Sequence, residues 1–145
     1  MHTNSPDLDA RRTTSAKGQL ANAAGAVLAA AISVIHVTDQ GGLTALKDPA
    51  YLGYGYWLLE FAGVITAVLL LVRARPVTWA LAFGVAAGPL IGITISRSVG
   101  LPDATDDIGN WFEPLGMLAM AVELTLVTLS GTALARARAT KQPRV

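Results

Sequence analysis

The chain has 145 residues, of which 52% are hydrophobic and only 14% charged, against about 25% charged in an ordinary soluble domain. Its length suits one domain, and its formal net charge of +1 points to neither nucleic acid nor an acidic substrate. The absence of cysteine excludes disulfides, thiolate metal sites, thiol catalysis and covalently attached c-type haem.

Residues 1–19 are polar, with Asp7, Asp9, Arg11, Arg12 and Lys17 and no periodic apolar face, and read as a mobile tail. Four apolar segments follow at about 20–38, 51–72, 77–96 and 114–134. Each holds roughly the 20 residues an α-helix needs to cross ~30 Å of hydrocarbon. The expected fold is therefore all-α: an integral membrane bundle of four transmembrane helices spanning 20–134, followed by a basic tail over 135–145.

The first segment is rich in alanine (AAGAVLAAAISVI) and has basic residues upstream, so a cleaved signal peptide is its alternative reading. A twin-arginine signal fits less well, because Thr13 and Thr14 stand where apolar residues are expected after Arg11 and Arg12. At 100° per residue, Asn22, Gly25, Ala29 and His36 share one face, with Asp39 beside it. A small, polar face of this kind suits a retained helix packed on another.

Lysine and arginine set the expected orientation. Nine of the eleven basic residues fall in the two tails and the short loop holding Arg73 and Arg75, leaving Lys47 and Arg97 at the other end. The positive-inside rule then places both termini in the cytoplasm. Asp39, Asp48, Asp103, Asp106, Asp107 and Glu113 gather at the outer end, along with Tyr51, Tyr54, Tyr56, Trp57 and Trp111.

In the third segment Ala80, Gly84, Gly88, Gly92 and Ser96 recur every four residues, a stripe that lets a second helix approach closely. The stripe is expected to close the bundle, and Gly84, Gly88 and Gly92 are also candidates for contact with a second copy or a partner membrane protein. Pro89 within it should kink the helix. The connection SRSVGLPDATDDIGNW is built from turn formers, and Glu113-Pro114 marks the entry to the fourth helix.

Glu60 and Glu123 are the residues least at home in hydrocarbon. Each lies about nine residues into its helix, ~14 Å deep, where a carboxylate costs on the order of 3 kcal/mol. Helical phase puts Glu60 on a face with Gly53, Tyr56 and Gly63, and Glu123 on one with Gly116, Ala119 and Ser130. Both acids should therefore point into the bundle, as a protonatable pair reachable from outside or as neutral groups that fix helix register.

His36 and Arg97 are the candidate cationic partners of these acids, and Tyr54, Tyr56, Thr94, Ser96 and Asn110 can supply hydrogen bonds. His36 with Asp39 is a weak candidate metal pair. Bis-histidine haem fails because the only other histidine, His2, lies in the tail. No cofactor is expected. The sequence holds no phosphate loop, nucleophile triad or zinc-protease motif. Gly53 and Gly116 each precede their glutamate by seven residues, a pattern that a duplicated two-helix hairpin would leave.

The strings HVTDQGGL, YLGYGYWLLEFAG and SRSVGLPDATDDIGNWFEPLG resemble a group of small four-helix integral membrane proteins from high-GC Gram-positive (actinobacterial) bacteria. The resemblance covers about residues 25–130. It implies the fold, the topology and a multi-pass location in the bacterial plasma membrane, and it transfers no catalytic residue. The disposition of His36, Asp39 and Glu60 is also similar to that in the emopamil-binding and sigma-2 receptor superfamily, an analogy of architecture.

Three functional readings stand at this point. The first is a membrane protein whose outer-facing pocket binds a small ligand, cation or proton. Glu60 and Glu123 form its floor; His36, Asp39, Arg97, Tyr56, Trp57 and a loop holding Asn110, Trp111 and Glu113 surround its mouth. The second is an accessory subunit docking a partner membrane protein. The third is a small membrane enzyme pairing one glutamate as acid with the other as base on a lipid-soluble substrate.

Overall fold

The computed structural model describes residues 6–140, with side chains from residue 13 onward. Four helices run in order: α1 (Pro6–Gln40), α2 (Ala50–Val72), α3 (Pro76–Ser98) and α4 (Pro114–Ala139). All four are long and apolar enough to cross a membrane, and no strand occurs among the described residues.

The helix boundaries follow from local chemistry. α1 stops at Gly41 and Gly42, both at positive φ, where the Gly42 N–H bonds back to the Val37 carbonyl at 2.9 Å. Pro76 and Pro114 open α3 and α4, where a missing N–H costs nothing. Glu113 caps α4 with its carboxylate, accepting from the N–H groups of Leu115 and Gly116. At the other end of the chain the outcome differs from expectation. The polar segment 1–19, read as a mobile tail, is helical from Pro6 on, with residues 13–20 all exposed. Extending a helix that packing has already nucleated fixes only one residue per step, so a polar stretch can follow. Similarly, α4 continues past residue 134 to Ala139. His2, Lys141 and Arg144 lie outside the described residues.

Packing is uneven. α1 and α2 form one tight hairpin, α3 and α4 the other, while α2 and α3 touch less. At the tightest point a Cβ on Gly63 would sit 2.2 Å from Ser33 Oγ and 3.0 Å from the Ala29 carbonyl. Ser33 Oγ also donates to the Glu60 backbone carbonyl at 2.9 Å, tying the two helices together. The apolar core centres on Ala29, Ile32, Leu70, Trp79, Ala86 and Leu126. Its largest member, Trp79, lies against Gly25, which leaves room for the indole edge.

Polarity runs opposite to that of a water-soluble bundle. Leu58, Phe61, Ile65 and Val68 are exposed on α2, whereas His36, Glu60, Arg97, Glu123 and Ser130 are buried. Such a surface is stable against lipid and aggregation-prone in water.

The glycine stripe of α3 does not close the bundle. α3 packs through Trp79, Ala82, Val85 and Ala86 instead. A Cβ placed on Gly84, Gly88 or Gly92 meets nothing within 4 Å. The physical reason is that α2 is drawn toward α1 at Gly63, and glycine has no side chain to fill the space that leaves.

Candidate functional site: a cavity at the loop end of the bundle

The α1–α2 and α3–α4 connections share one end of the bundle, joined where Tyr51 Oη donates to the Pro102 carbonyl at 2.7 Å. From this loop end a cavity of about 830 Å³ runs down between α2 and α3. That size is within the range of small-molecule sites. Three charged groups of residues shape its polar half.

The deepest is a pair between α1 and α4. His36 Nε2 lies 3.1 Å from Glu123 Oε1, and both residues line the cavity. Glu123 is 1% exposed and His36 9%, yet Glu123 Oε2 and His36 Nδ1 have no partner among the described residues. Helical phase explains why Glu123 faces inward: Gly116, Ala119, Leu126 and Ser130 are buried on the same side of α4.

The second group sits above it. Lys47 Nζ donates to Asp39 Oδ2 at 2.6 Å and to Tyr56 Oη at 3.2 Å, and Tyr56 Oη donates to the same Asp39 oxygen. The turn at Gly41 and Gly42 folds the chain back and brings Lys47 to Asp39. The Tyr56 ring then meets the His36 ring edge-on, with centroids 5.1 Å apart. The polar groups thus form two sets, Lys47 with Asp39 and Tyr56, and His36 with Glu123, which meet through the edge of an aromatic ring.

The third group joins α3 to the start of α4. Arg97 is 5% exposed; its Nη2 donates to Glu113 Oε2 at 3.2 Å, while Nη1 has no partner among the described residues. The guanidinium fits only because residue 116 is glycine, since a Cβ there would lie 2.0 Å from Nη2. Glu113 titrates below the ordinary glutamate value of 4.5, chiefly because the Gly116 N–H bonds its carboxylate, then the Leu115 N–H, with Arg97 adding to both.

Charges in the cavity wall thus largely match. Lys47 faces Asp39 and Arg97 faces Glu113. Asp48, Asp106 and Asp107 line the mouth and form no ion pair among the described residues. The mouth is acidic, and a concave acidic mouth concentrates cations.

The residues singled out from the sequence separate into two sets. His36, Asp39, Tyr56, Arg97, Glu113 and Glu123 line the cavity. Glu60, Trp57, Asn110 and Trp111 are not in its lining. Glu60 is buried at 6% exposure, with Oε1 unpartnered among the described residues. Trp57 Nε1 donates to the Ala45 carbonyl at 3.1 Å, pinning α2 to the preceding loop. Asn110 Nδ2 donates to Asp107 Oδ1 at 3.4 Å, and Trp111 is half-buried beside it in the loop.

Lys47 was not a site candidate in the sequence, where its only signal was being one of two basic residues at the expected outer end of the bundle. Gly116 stood out as a small residue on the Glu123 face and as one half of the seven-residue spacing shared with Gly53, neither of which signals that Arg97 rests on it. His36 and Asp39 turn to different partners, His36 to Glu123 and Asp39 to Lys47 and Tyr56. No three His, Asp or Glu side chains cluster to hold a metal ion among the described residues.

Four apolar helices with polar groups turned inward define a multi-pass membrane protein. No protein-family model, curated protein or solved structure matches the chain.

Proposed function

We propose that the protein is a multi-pass protein of the bacterial plasma membrane, with both termini cytoplasmic, whose outward-facing cavity binds a small ligand, cation or proton at intramembrane carboxylates. The observation that carries this reading is Glu123: a carboxylate almost wholly buried in a membrane helix, lining a cavity, with one oxygen on His36 and the other without a partner among the described residues. An intramembrane acid is costly to keep, and a purely structural acid would spend both oxygens on neighbouring helices. The acidic mouth at Asp48, Asp106 and Asp107 favours a cation over an anion.

The test uses the full chain in phosphatidylcholine nanodiscs with tetramethylammonium as the probe cation, titrated by calorimetry. Wild type binds, and Glu123→Gln, which keeps shape and loses charge, folds as wild type and binds about tenfold or more weakly. Equal binding by the two proteins, or none by wild type, overturns the reading.

A second reading has one observation in its favour. The exposed faces of Gly84 and Gly88 meet no helix among the described residues, so a partner membrane protein or a second copy could seat a helix there. A defined oligomer or stoichiometric complex that Gly88→Leu abolishes would establish it.

A further inference from the structure

The cavity is polar in one half only. Above the level of Glu123 it is walled by the charged groups just described. Below that level its lining is Leu59, Ala62, Leu81, Gly84, Val85 and Gly88, with no ionisable side chain. From Pro89, which faces the cavity near the depth of Glu123, to Leu81 is eight residues of helix, or about 12 Å. A ligand that used only the polar half would leave this length of apolar crevice unfilled.

The crevice also opens sideways. Leu58 belongs to the cavity wall and is 73% exposed on the outer face of α2. Gly84 and Gly88 are exposed on α3 while lining the same space. The gap between α2 and α3 therefore faces the hydrocarbon of the bilayer along the glycine stripe, as well as the loop end.

Resting on the function proposed above, we infer that the ligand is a cationic amphiphile: its positive head sits at Glu123, and its hydrocarbon chain lies along Gly88 and Gly84, entering from the bilayer between α2 and α3. Three features select this occupant over a water-borne ion. The head meets a buried carboxylate oxygen that lacks a partner among the described residues, and Arg97, which also lines the cavity, is already held by Glu113. The chain meets apolar wall where the absence of side chains at residues 84 and 88 makes room. Entry from lipid spares the chain any passage through the acidic mouth.

Wild type, Gly88→Leu and Gly84→Leu are compared in phosphatidylcholine nanodiscs against a series of trimethylammonium ions bearing methyl, hexyl and decyl chains. Partition of the probe into lipid is common to all the proteins, so it cancels when each variant is divided by wild type. The loss of affinity in Gly88→Leu should grow along the series and reach about tenfold or more for the decyl probe, because each buried methylene adds to binding. Gly84→Leu repeats the measurement should Gly88→Leu fail to fold, with thermal unfolding as the check. A loss that is constant along the series overturns the amphiphile while leaving the head site intact, provided tetramethylammonium still binds in a Glu123-dependent manner. Failure of every probe overturns both. A change of oligomeric mass in Gly88→Leu, without a chain-length effect, assigns the crevice to a protein helix and also overturns the inference.

Discussion

His36 on α1 and Glu123 on α4 meet at 3.1 Å inside the bundle, joining the first and last helices across a contact neither hairpin could make alone. Breaking such a pair by removing one partner leaves the other buried and unmatched, which is more damaging than losing both. His36→Ala and Glu123→Ala should each lower unfolding stability in micelles, and the double variant should lose less than their sum. The expected coupling is about 1–3 kcal/mol. Strict additivity would mean that the two side chains do not interact.

Close packing is concentrated at α1–α2. A methyl at Gly63 runs into Ser33 Oγ and the Ala29 backbone, so Gly63→Ala should destabilise by about 1–3 kcal/mol. Ser33→Ala in the same chain removes the nearer atom and should recover part of the loss. Gly88→Ala meets open space and should be neutral or stabilising by up to about 1 kcal/mol, since alanine loses less entropy in a helix. Equal effects at residues 63 and 88 would contradict this division of the bundle.

Glu113 gives the fold an acid limit outside the membrane spans. The N–H groups of Gly116 and Leu115, then Arg97, hold its folded titration below the ordinary 4.5. A lowered folded value means the stabilisation is complete above 4.5 and disappears as pH falls through the folded value. Wild type should therefore exceed Glu113→Gln in stability at neutral pH, and the gap should narrow as pH drops below about 4.5. Stability curves that stay parallel over that range would rule out the ionised cap.

Gly116 is predicted to act through Arg97. Its α-carbon lies under the guanidinium, and a Cβ there would come within 2.0 Å of Nη2. Gly116→Ala should displace Arg97 from Glu113, and the acid-side loss of stability assigned to Glu113 should weaken with it. Arg97→Lys, lacking the planar fork, should give a partial version of the same change. A Gly116→Ala protein with the wild-type acid profile would show that the contact has no weight.

Much of this architecture could be read from the chain. Four segments of membrane length, and the helical phase that turned Glu60 and Glu123 toward glycine and alanine, followed from local periodicity alone. What periodicity could not supply was which inward face meets which. Glu123 found His36 on α1, and Glu60 stayed at the α1–α2 contact without lining the cavity. Lys47 reached Asp39 because of a two-glycine turn whose path depends on tertiary packing. The stripe on α3 carried a pattern common to helix contacts and to vacant grooves, and only the pull of α2 toward α1 decided between them.

The most direct test of a carboxylate-lined, water-reachable cavity exploits a chain that has no cysteine of its own. Gly92→Cys places a thiol on the cavity wall, and Ile91→Cys places one on the neighbouring surface outside it. With methanethiosulfonates carrying a trimethylammonium or a sulfonate, Gly92→Cys should react, faster with the cation, whereas Ile91→Cys should not. Tetramethylammonium should protect Gly92→Cys, and adding Glu123→Gln should abolish that protection. A Gly92→Cys thiol as inert as Ile91→Cys, or one that reacts with no protection in either background, would contradict the account.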